Sequence, residues 1–534
     1  MQKLATILIV LVFVTSSQAQ TPDTLQRIDQ LFSRWNNATP GLSVAIERQG
    51  KIIYHKAFGL ADLEHNVPNT VSTVFEAGSV SKQFTAAAIL LLVQEGKISL
   101  DDDVRKYVPE LPVYNKIITI RHLMNHTSGL KDWGSVGALS GWPRTTRVYT
   151  QDLALQIICK QKSLNFTPGS EYSYSNSGYT LMVSIVERVS KQSLAEFTRT
   201  RLFEPAGLKN TQWRDNFREV IPNRAVAYRK SENSYAQEMP FENIHGHGGL
   251  LTTTEDLITW NHQLENPTIG GVALRRMRTE QGKLTSGKII GYSGGLFIQD
   301  HNGIQEINHT GATASYRAVL SYFPEKKLSI AILSNDGSFN PGSFGTQVAE
   351  IFLGKKLSPP EPVRFAEATD EQLQRYAGTY RSVRNFDVLT LRYEPGKVIS
   401  NGHTLNVIHP DTLYFDRLYW IRKKNGQLLV KNPSDTNSYV RVKPAVTDAA
   451  YFKSVAGLYV SDEADAVYQV EVRDGNLWVS QTPPGSWKLT PSFYDGFVTE
   501  DRDLYEFKRS KKGTVNRLEV SVGRAERIIF VKVK

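Results

Sequence analysis

Ser79-Val80-Ser81-Lys82 opens the stretch that decides how this chain folds, because a long apolar run follows it and ends at Gly96. Residues 83–95 (QFTAAAILLLVQE) are mostly strong helix formers, and glycine is common just after a helix C-terminus. We therefore predict a helix with Ser79 in its first turn. Residues three apart share a helix face, so the Lys82 amine is expected beside the Ser79 hydroxyl.

This pair of side chains is suited to covalent catalysis. The helix N-terminus favours the oxyanion that ionisation of the serine leaves behind. A lysine walled in by Phe84 and Ala86 would be poorly solvated, which lowers its pKa and lets a neutral amine accept the serine proton. A second copy of the spacing, Ser128-Gly129-Leu130-Lys131, contains a glycine and precedes no helical run, so we predict that it forms a loop.

Two further motifs follow in the chain. Tyr174-Ser175-Asn176 can turn a phenol and an amide toward one cleft, where the phenol shuttles a proton and the amide holds a substrate carbonyl. His309-Thr310-Gly311 precedes the segment 312–322, whose β character suggests a strand edge with a close-approach glycine. Its edge would offer backbone N–H groups to an oxyanion.

With segments 75–82, 120–130 and 248–257, these motifs resemble the penicillin-recognising serine hydrolases. The resemblance is to the branch that contains class C β-lactamases, D-alanyl-D-alanine carboxypeptidases, D-aminopeptidases and related esterases. The resemblance covers about residues 25–354. It implies that Ser79 is the nucleophile, that Lys82 activates it and that Tyr174 is the partner base and proton relay.

The resemblance also implies the substrate contacts. Asn176 would bind the substrate amide, and His309, Thr310 and Gly311 would line the substrate site. The oxyanion hole would consist of the N–H groups of Ser79 and Ala312. Many members carry lysine in place of His309, a permanent cation suited to a substrate carboxylate. Because histidine is mostly neutral near pH 7, its presence argues against carboxylate recognition and resembles the D-aminopeptidases.

Other motifs in the chain have structural interpretations. Ser293 lies in a Gly-x-Ser-x-Gly sequence, but the residues that follow read as a hairpin rather than a helix. His122 and His126 lack the glutamate of a metalloprotease motif, so we expect them to fix a loop. His245 and His247 stand among glycines and are expected to form a turn or line a cleft. We predict no metal and no cofactor.

The N-terminal residues and the composition indicate where in the cell the protein acts. Lys3, an apolar run over residues 4–14 and Ser17-Gln18-Ala19 predict a secretory signal peptide, so we expect export to a bacterial periplasm or secretion without a stable membrane anchor. The single Cys159 excludes an intramolecular disulfide. A net charge of +10 is spread over 63 basic and 53 acidic residues and does not indicate a nucleic-acid partner. The oligomeric state is open.

After Gly354 the sequence pattern changes from alternating helices and strands to strands and turns. A Pro-rich linker precedes strands separated by hairpin signals such as Lys424-Asn425-Gly426. The stretch 376–380 (YAGTY) recurs as 455–459 (VAGLY), 79 residues later. Two small antiparallel barrels would close their own edges. Their order resembles D-aminopeptidases, in which a loop of the last barrel helps to read the substrate's amino end. Residues 481–487 are our candidate for that loop.

The predicted fold class is therefore α+β. A three-layer catalytic domain, with an antiparallel sheet between helices and a helical insert, precedes two lipocalin-like barrels. The predicted limits are 1–19 for the signal peptide, 22–355 for the hydrolase domain, 356–369 for the linker, and 370–445 and 448–534 for the barrels.

The predicted function is an exported serine hydrolase. It would act through an acyl-enzyme on small amides or peptides, with D-amino-acid peptides as the leading substrates. A carboxylesterase, a β-lactamase or D-alanyl-D-alanine carboxypeptidase, and a noncatalytic envelope binding protein are the alternatives.

Overall fold

A computed structural model describes residues 22–142, 147–357, 363–432, 435–483 and 485–533. The predicted signal peptide, residues 1–19, lies outside these ranges, as do residues 358–362 of the predicted linker. Across the described ranges, no helix combines the length and the apolar character that crossing a membrane requires.

The catalytic region is built on a seven-stranded antiparallel sheet with the strand order β10-β11-β12-β13-β14-β1-β2. The predicted opening hairpin over Gln49 and Gly50 is confirmed as β1 and β2. The strands of this region are β1 (Leu42–Arg48), β2 (Lys51–Phe58), β3 (Leu60–Asp62), β4 (Val67–Pro68), β5 (Phe75–Glu76), β6 (Gln212–Trp213), β7 (Tyr228–Ser231), β8 (Ser234–Gln237), β9 (Leu250–Thr252), β10 (Tyr292–Ser293), β11 (Leu296–Asp300), β12 (Gln305–Thr313), β13 (Tyr316–Phe323) and β14 (Leu328–Ser334).

Helices cover both faces of this sheet. The helices of the described chain are α1 (Pro22–Phe32), α2 (Lys82–Gln94), α3 (Ile120–Met124), α4 (Trp133–Ala138), α5 (Gln151–Cys159), α6 (Asn176–Ser190), α7 (Leu194–Thr198), α8 (Glu204–Ala206), α9 (Thr254–Glu265), α10 (Gly271–Thr279), α11 (Pro341–Leu353), α12 (Asp370–Gln374) and α13 (Ala449–Val455). Helices α3 to α8 form the predicted helical insert.

Successive side chains of β14 point to opposite faces of the sheet, and this alternation explains the three layers of helix, sheet and helix. Ile330 and Ile332 pack with α1 and α11 on one face of the sheet. Ala331 and Leu333 point to the other face and join the core around α2, α9 and the insert. Every residue of this strand is buried, because both faces are covered. The predicted three-layer catalytic region is therefore confirmed.

The β-rich C-terminal part forms two closed eight-stranded barrels, as predicted. The first barrel contains β15 (Gly378–Ser382), β16 (Val388–Glu394), β17 (Lys397–Ser400), β18 (His403–His409), β19 (Thr412–Phe415), β20 (Leu418–Arg422), β21 (Leu428–Lys431) and β22 (Thr436–Arg441). The second contains β23 (Gly457–Ser461), β24 (Ala466–Arg473), β25 (Asn476–Gln481), β26 (Gly485–Phe493), β27 (Gly496–Val498), β28 (Leu504–Arg509), β29 (Val515–Val522) and β30 (Ala525–Val533).

The repeated sequence marks the same structural position in both barrels. Tyr380 lies in the first strand of one barrel and donates its hydroxyl proton to the carbonyl of Tyr376 at 2.9 Å. Tyr459 does the same to the carbonyl of Val455 at 2.6 Å. Each tyrosine therefore ties the first strand of its barrel to the helical turn that precedes it.

The segment predicted as strand-like is interrupted by a turn. Residues 312–322 do not form a single strand: β12 ends at Thr313, Ala314 adopts a left-handed φ of 43°, and β13 begins at Tyr316. The His309-Thr310-Gly311 motif accordingly lies inside β12 rather than before a strand. Asn-Gly or a similar pair usually marks such a two-residue turn, and Ala314-Ser315 carries no such signal.

Candidate active site

Ser79 and Lys82 lie at the start of α2, as predicted. Residues Gly78–Ser81 form a short 3-10 turn that leads into the helix, and Ser79 remains partly exposed. Lys82 is fully buried. Its Nζ donates to Ser79 Oγ at 3.2 Å, to Asn176 Oδ1 at 2.9 Å and to the carbonyl of His247 at 2.6 Å.

These three contacts define what the amine can do. As an ammonium, Lys82 has three N–H groups and can donate one hydrogen bond to each of the three oxygens. As a neutral amine it has two N–H groups, which can donate hydrogen bonds to the carbonyl oxygens of Asn176 and His247. Its lone pair then faces Ser79 Oγ, which is the geometry that a general base for the serine hydroxyl needs.

The backbone of β12 approaches the Ser79 turn very closely. A Cβ atom on Gly311 would lie 2.0 Å from the carbonyl oxygen of Ala77 and 3.1 Å from the amide nitrogen of Ser79. A Cβ on Gly78 would lie 2.6 Å from the amide nitrogen of Ala312. Glycine is therefore required on both sides. The approach brings the amides of Ser79 and Ala312 to the same region, where the sequence predicts the oxyanion hole.

Tyr174 stands over the amine. Lys82 Nζ lies 4.8 Å from the centre of the Tyr174 ring. Within the described residues the phenol makes no hydrogen bond of ordinary geometry, although Ser79 is near enough to lower its pKa. Burial is the larger effect and raises the Tyr174 pKa above its usual value, so the phenol is neutral at neutral pH.

His309 faces away from solvent. Its side chain is 2% exposed. Nδ1 lies 2.5 Å from the carbonyl of Thr310, so it carries the proton, and Nε2 accepts from the Tyr292 hydroxyl at 3.1 Å. Burial and the nearby Lys82 lower the His309 pKa to about 3. This histidine is therefore neutral and engaged at both nitrogens.

Thr310 and Ala312 lie on the more open side of β12. Thr310 is partly exposed and Ala312 is exposed, whereas Gly311 between them is buried against the Ser79 turn. Asn176 is buried at the first position of α6 and holds Lys82. The strand thus offers an open edge beside Ser79, while His309 supports it from behind.

His126 belongs to the site, although the sequence predicted only a loop residue. Its ring centre lies 4.2 Å from that of Tyr174, and its Nδ1 accepts from the amide of Ser175 at 3.2 Å. Burial, followed by the charge of Lys82, lowers the His126 pKa well below its usual value. No sequence motif indicated that this ring would pack on Tyr174.

A residue of the second barrel also reaches the site. Arg524, at the turn between β29 and β30, has its guanidinium carbon 5.4 Å from the centre of the Tyr174 ring. Its Nη2 lies 3.2 Å from Asp132 Oδ2, and that oxygen accepts from the amide of Asn176 at 2.8 Å. The candidate stretch 481–487 instead comes close to Gly141 of the insert, and its Pro484 lies outside the described residues.

The rejected motifs have structural roles. Ser293 lies in the β10–β11 hairpin, as predicted. His122 accepts from the amide of Thr119 and completes the cap of α3. Lys131, of the second Ser-x-x-Lys copy, is buried and bonds to Ser163 Oγ at 3.0 Å and Glu463 Oε2 at 3.3 Å. That copy is therefore a contact between the insert and the second barrel.

Metal-ligating side chains do not gather at Ser79 in the described part of the chain. Elsewhere in the described chain one group of side chains could hold an ion. It consists of Asp62, Glu64 and His65, is largely exposed, and contains a hydrogen bond of 2.8 Å between His65 and Asp62.

The sequence matches known proteins over most of its length. The family model described as Beta-lactamase matches residues 26–349. Penicillin-binding protein 4* of Bacillus subtilis is 30% identical over 354 residues, which are 62% of this chain and 77% of that protein. A D-aminopeptidase of Gluconobacter oxydans is 25% identical over 511 residues, which are 87% of this chain and 93% of that protein.

A solved structure shares the whole architecture. The octameric penicillin-binding protein homologue from Pyrococcus abyssi covers 96% of this chain and 99% of its own, with a TM-score of 0.56 and 21% identity. At that identity the likeness concerns the fold, including the part after the catalytic region.

Proposed function

Because the chain belongs to the Beta-lactamase family of serine hydrolases, we propose that it cleaves amides and peptides of D-amino acids through an acyl-enzyme formed on Ser79. The observation that carries this proposal is the set of three hydrogen bonds around Lys82 Nζ, which directs its lone pair at Ser79 Oγ. The D-aminopeptidase that resembles 87% of the chain supports the substrate class. The N-terminal sequence supports export.

In the acylation step, neutral Lys82 takes the proton of Ser79 Oγ as that oxygen attacks the substrate carbonyl carbon. The amides of Ser79 and Ala312 bind the oxyanion that forms. Tyr174, a neutral phenol, gives its proton to the leaving nitrogen as the C–N bond breaks, and the Lys82 ammonium returns a proton to the phenol oxygen.

Deacylation reverses this proton flow. Water attacks the acyl ester, one of its protons passes through Tyr174 to Lys82, and Ser79 Oγ leaves with a proton from the relay. His309 and His126 remain neutral behind Tyr174 and keep its ring and β12 in place. His309 thus acts as a positioning residue in this mechanism.

The two Ser-x-x-Lys copies provide a matched test. The serine variants Ser79→Ala and Ser128→Ala should both fold. Only Ser79→Ala should lose turnover of D-alanine p-nitroanilide, by roughly 10⁴- to 10⁶-fold. It should also lose labelling by a fluorophosphonate or penicillin probe, read by intact mass. Full labelling of Ser79→Ala would contradict the proposal and make Ser293 the next candidate.

Lys82→Ala and Tyr174→Phe test the relay. Each should reduce kcat severely, and the double variant should lose less than the product of the single losses, because the two residues act on the same proton. Multiplicative losses would show that they act independently.

A further inference from the structure

The hairpin tip that carries Arg524 is fixed by the catalytic domain. The carbonyl of Arg524 accepts from the amide of Asp132 at 3.1 Å and from Asn165 Nδ2 at 3.1 Å. Its amide donates to Ser135 Oγ at 3.0 Å. Gly523 has a φ of 51°, and a Cβ there would lie 2.8 Å from the same Oγ. The backbone of the tip therefore holds one position beside Tyr174.

The side chain of Arg524 keeps donors free for a ligand. It is 42% exposed, and a guanidinium has five N–H groups. In the described chain its one ion-pair partner is Asp132. That carboxylate is already satisfied, because it accepts from the amides of Gly134, Ser135 and Asn176. Arg524 is thus a fixed, partly solvated cation beside the proposed proton relay.

The basic side chains of the first and third motifs are not available to a substrate anion. Lys82 is buried and engaged with three oxygens. His309 is neutral and faces Tyr292 and its own strand. The third motif therefore supplies no charge to the substrate, and the second barrel brings a cation to the cleft instead. A guanidinium repels an ammonium, so Arg524 is unsuited to the substrate's amino end.

Arg524 also lines a cavity of about 350 Å³ where the three domains meet. Ser173, next to Tyr174 in the chain, lines the same cavity. Its other charged lining residues are Asp387 of the first barrel and Asp501, Arg502, Asp503 and Glu526 of the second. Because carboxylates outnumber arginines in this lining, an anionic group is expected on the side of Arg524 that faces Tyr174 and not deeper in the cavity.

We propose that Arg524 binds a carboxylate of the substrate, so that the enzyme selects D-amino-acid peptides or amides with one carboxylate near the scissile bond. The inference rests on the proposed function and narrows its substrate class. The carboxylate is either the C-terminus of the leaving residue or an acidic side chain of the acyl residue.

Matched substrates test the proposal. D-Ala-D-Ala and its C-terminal amide differ only in the terminal carboxylate, and D-Glu and D-Gln p-nitroanilides differ only in the side-chain charge. In the wild type, the charged member of at least one pair should have the higher kcat/KM. Arg524→Gln should lower that ratio by about 10- to 30-fold, Arg524→Lys should keep part of it, and Arg524→Glu should invert it.

A purely structural role gives a different result. If Arg524 only holds Asp132, then Arg524→Gln lowers kcat/KM equally for both members of each pair, as Asp132→Asn should, and the proposal is overturned. Wild-type preference for the uncharged members overturns it as well. Melting temperatures establish that each variant is folded.

A second substrate pair separates this proposal from the proposed function. If no D-amino-acid compound is cleaved, the proposed function fails, and mono-p-nitrophenyl succinate is then compared with p-nitrophenyl butyrate. A preference for the succinate that Arg524→Gln removes supports the carboxylate site. The absence of any preference overturns it.

Discussion

The two barrels have the same strand count, the same closure and the same internal tyrosine, but they meet the catalytic domain differently. The core of the first barrel contains only its own residues and neighbours. The core of the second includes Val136 and Leu139 of α4. A buried ion pair, Lys131 with Glu463, and the Arg524 turn lie at the same interface. A repeated module can therefore keep a separate core in one copy and pack against the candidate active site in the other.

Removal of the second barrel should have the largest effect. A chain that ends at Val442 keeps the first barrel but exposes Val136 and Leu139 and loses Arg524. We expect kcat/KM for D-alanine p-nitroanilide to fall more than 100-fold, together with a lower melting temperature. Full activity of the truncated chain would show that the second barrel does not support the site.

The next largest effect should come from the buried ion pair. Lys131→Met leaves the Glu463 carboxylate buried without its cation, which should cost about 3 to 5 kcal/mol of unfolding free energy. The double variant Lys131→Met/Glu463→Leu should recover most of that loss. Denaturant unfolding of the three proteins measures both values, and a double variant as unstable as Lys131→Met would contradict the explanation.

The paired tyrosines should respond alike. Tyr380→Phe and Tyr459→Phe each remove one hydroxyl that donates to a buried carbonyl, so each should cost about 1 kcal/mol of unfolding free energy; Tyr380 also accepts from Arg441 at 2.9 Å, but that bond comes from an exposed side chain and should add little. Thermal unfolding followed by circular dichroism compares them. A difference above about 2 kcal/mol would mean that the interiors of the barrels are not equivalent.

The contacts of the first barrel should matter least. Arg384 pairs with Asp435 of its own barrel and reaches Glu171 of the catalytic domain at 3.3 Å, but all three side chains are about one-third exposed. Arg384→Gln should therefore cost less than about 1 kcal/mol and leave kcat/KM for D-alanine p-nitroanilide unchanged. A loss comparable to that of Lys131→Met would remove the contrast between the barrels.

Local patterns predicted the elements that depend on nearby residues. The apolar run before Gly96 gave α2, and the alternation around Gln49 and Gly50 gave the first hairpin. The 79-residue repeat indicated two barrels. The turn at Ala314 was missed because its backbone is held by the strands it joins and not by a residue that prefers a left-handed φ.

The site residues that escaped prediction depend on tertiary contacts. His126 packs on Tyr174 across 48 positions of sequence, and its spacing to His122 suggested only a loop or a metal. Arg524 contacts Ser135 across 389 positions. A single arginine in a hairpin turn has no pattern that tells which surface it will meet. Conversely, the position of Lys131 within a second Ser-x-x-Lys copy gave no hint of its buried partner.

The long sequence separation between Ser135 and Arg524 has a consequence for synthesis. A ribosome that adds roughly 5 to 20 residues per second needs about 20 to 80 s to make the 389 residues between Ser135 and Arg524. Because domains generally fold in the order in which they are made, we expect the catalytic domain to fold during that interval without the guanidinium beside Tyr174. The Ser79 turn is thus made well before the Arg524 turn, and the proposed selectivity is acquired only when the Arg524 turn has docked beside Tyr174.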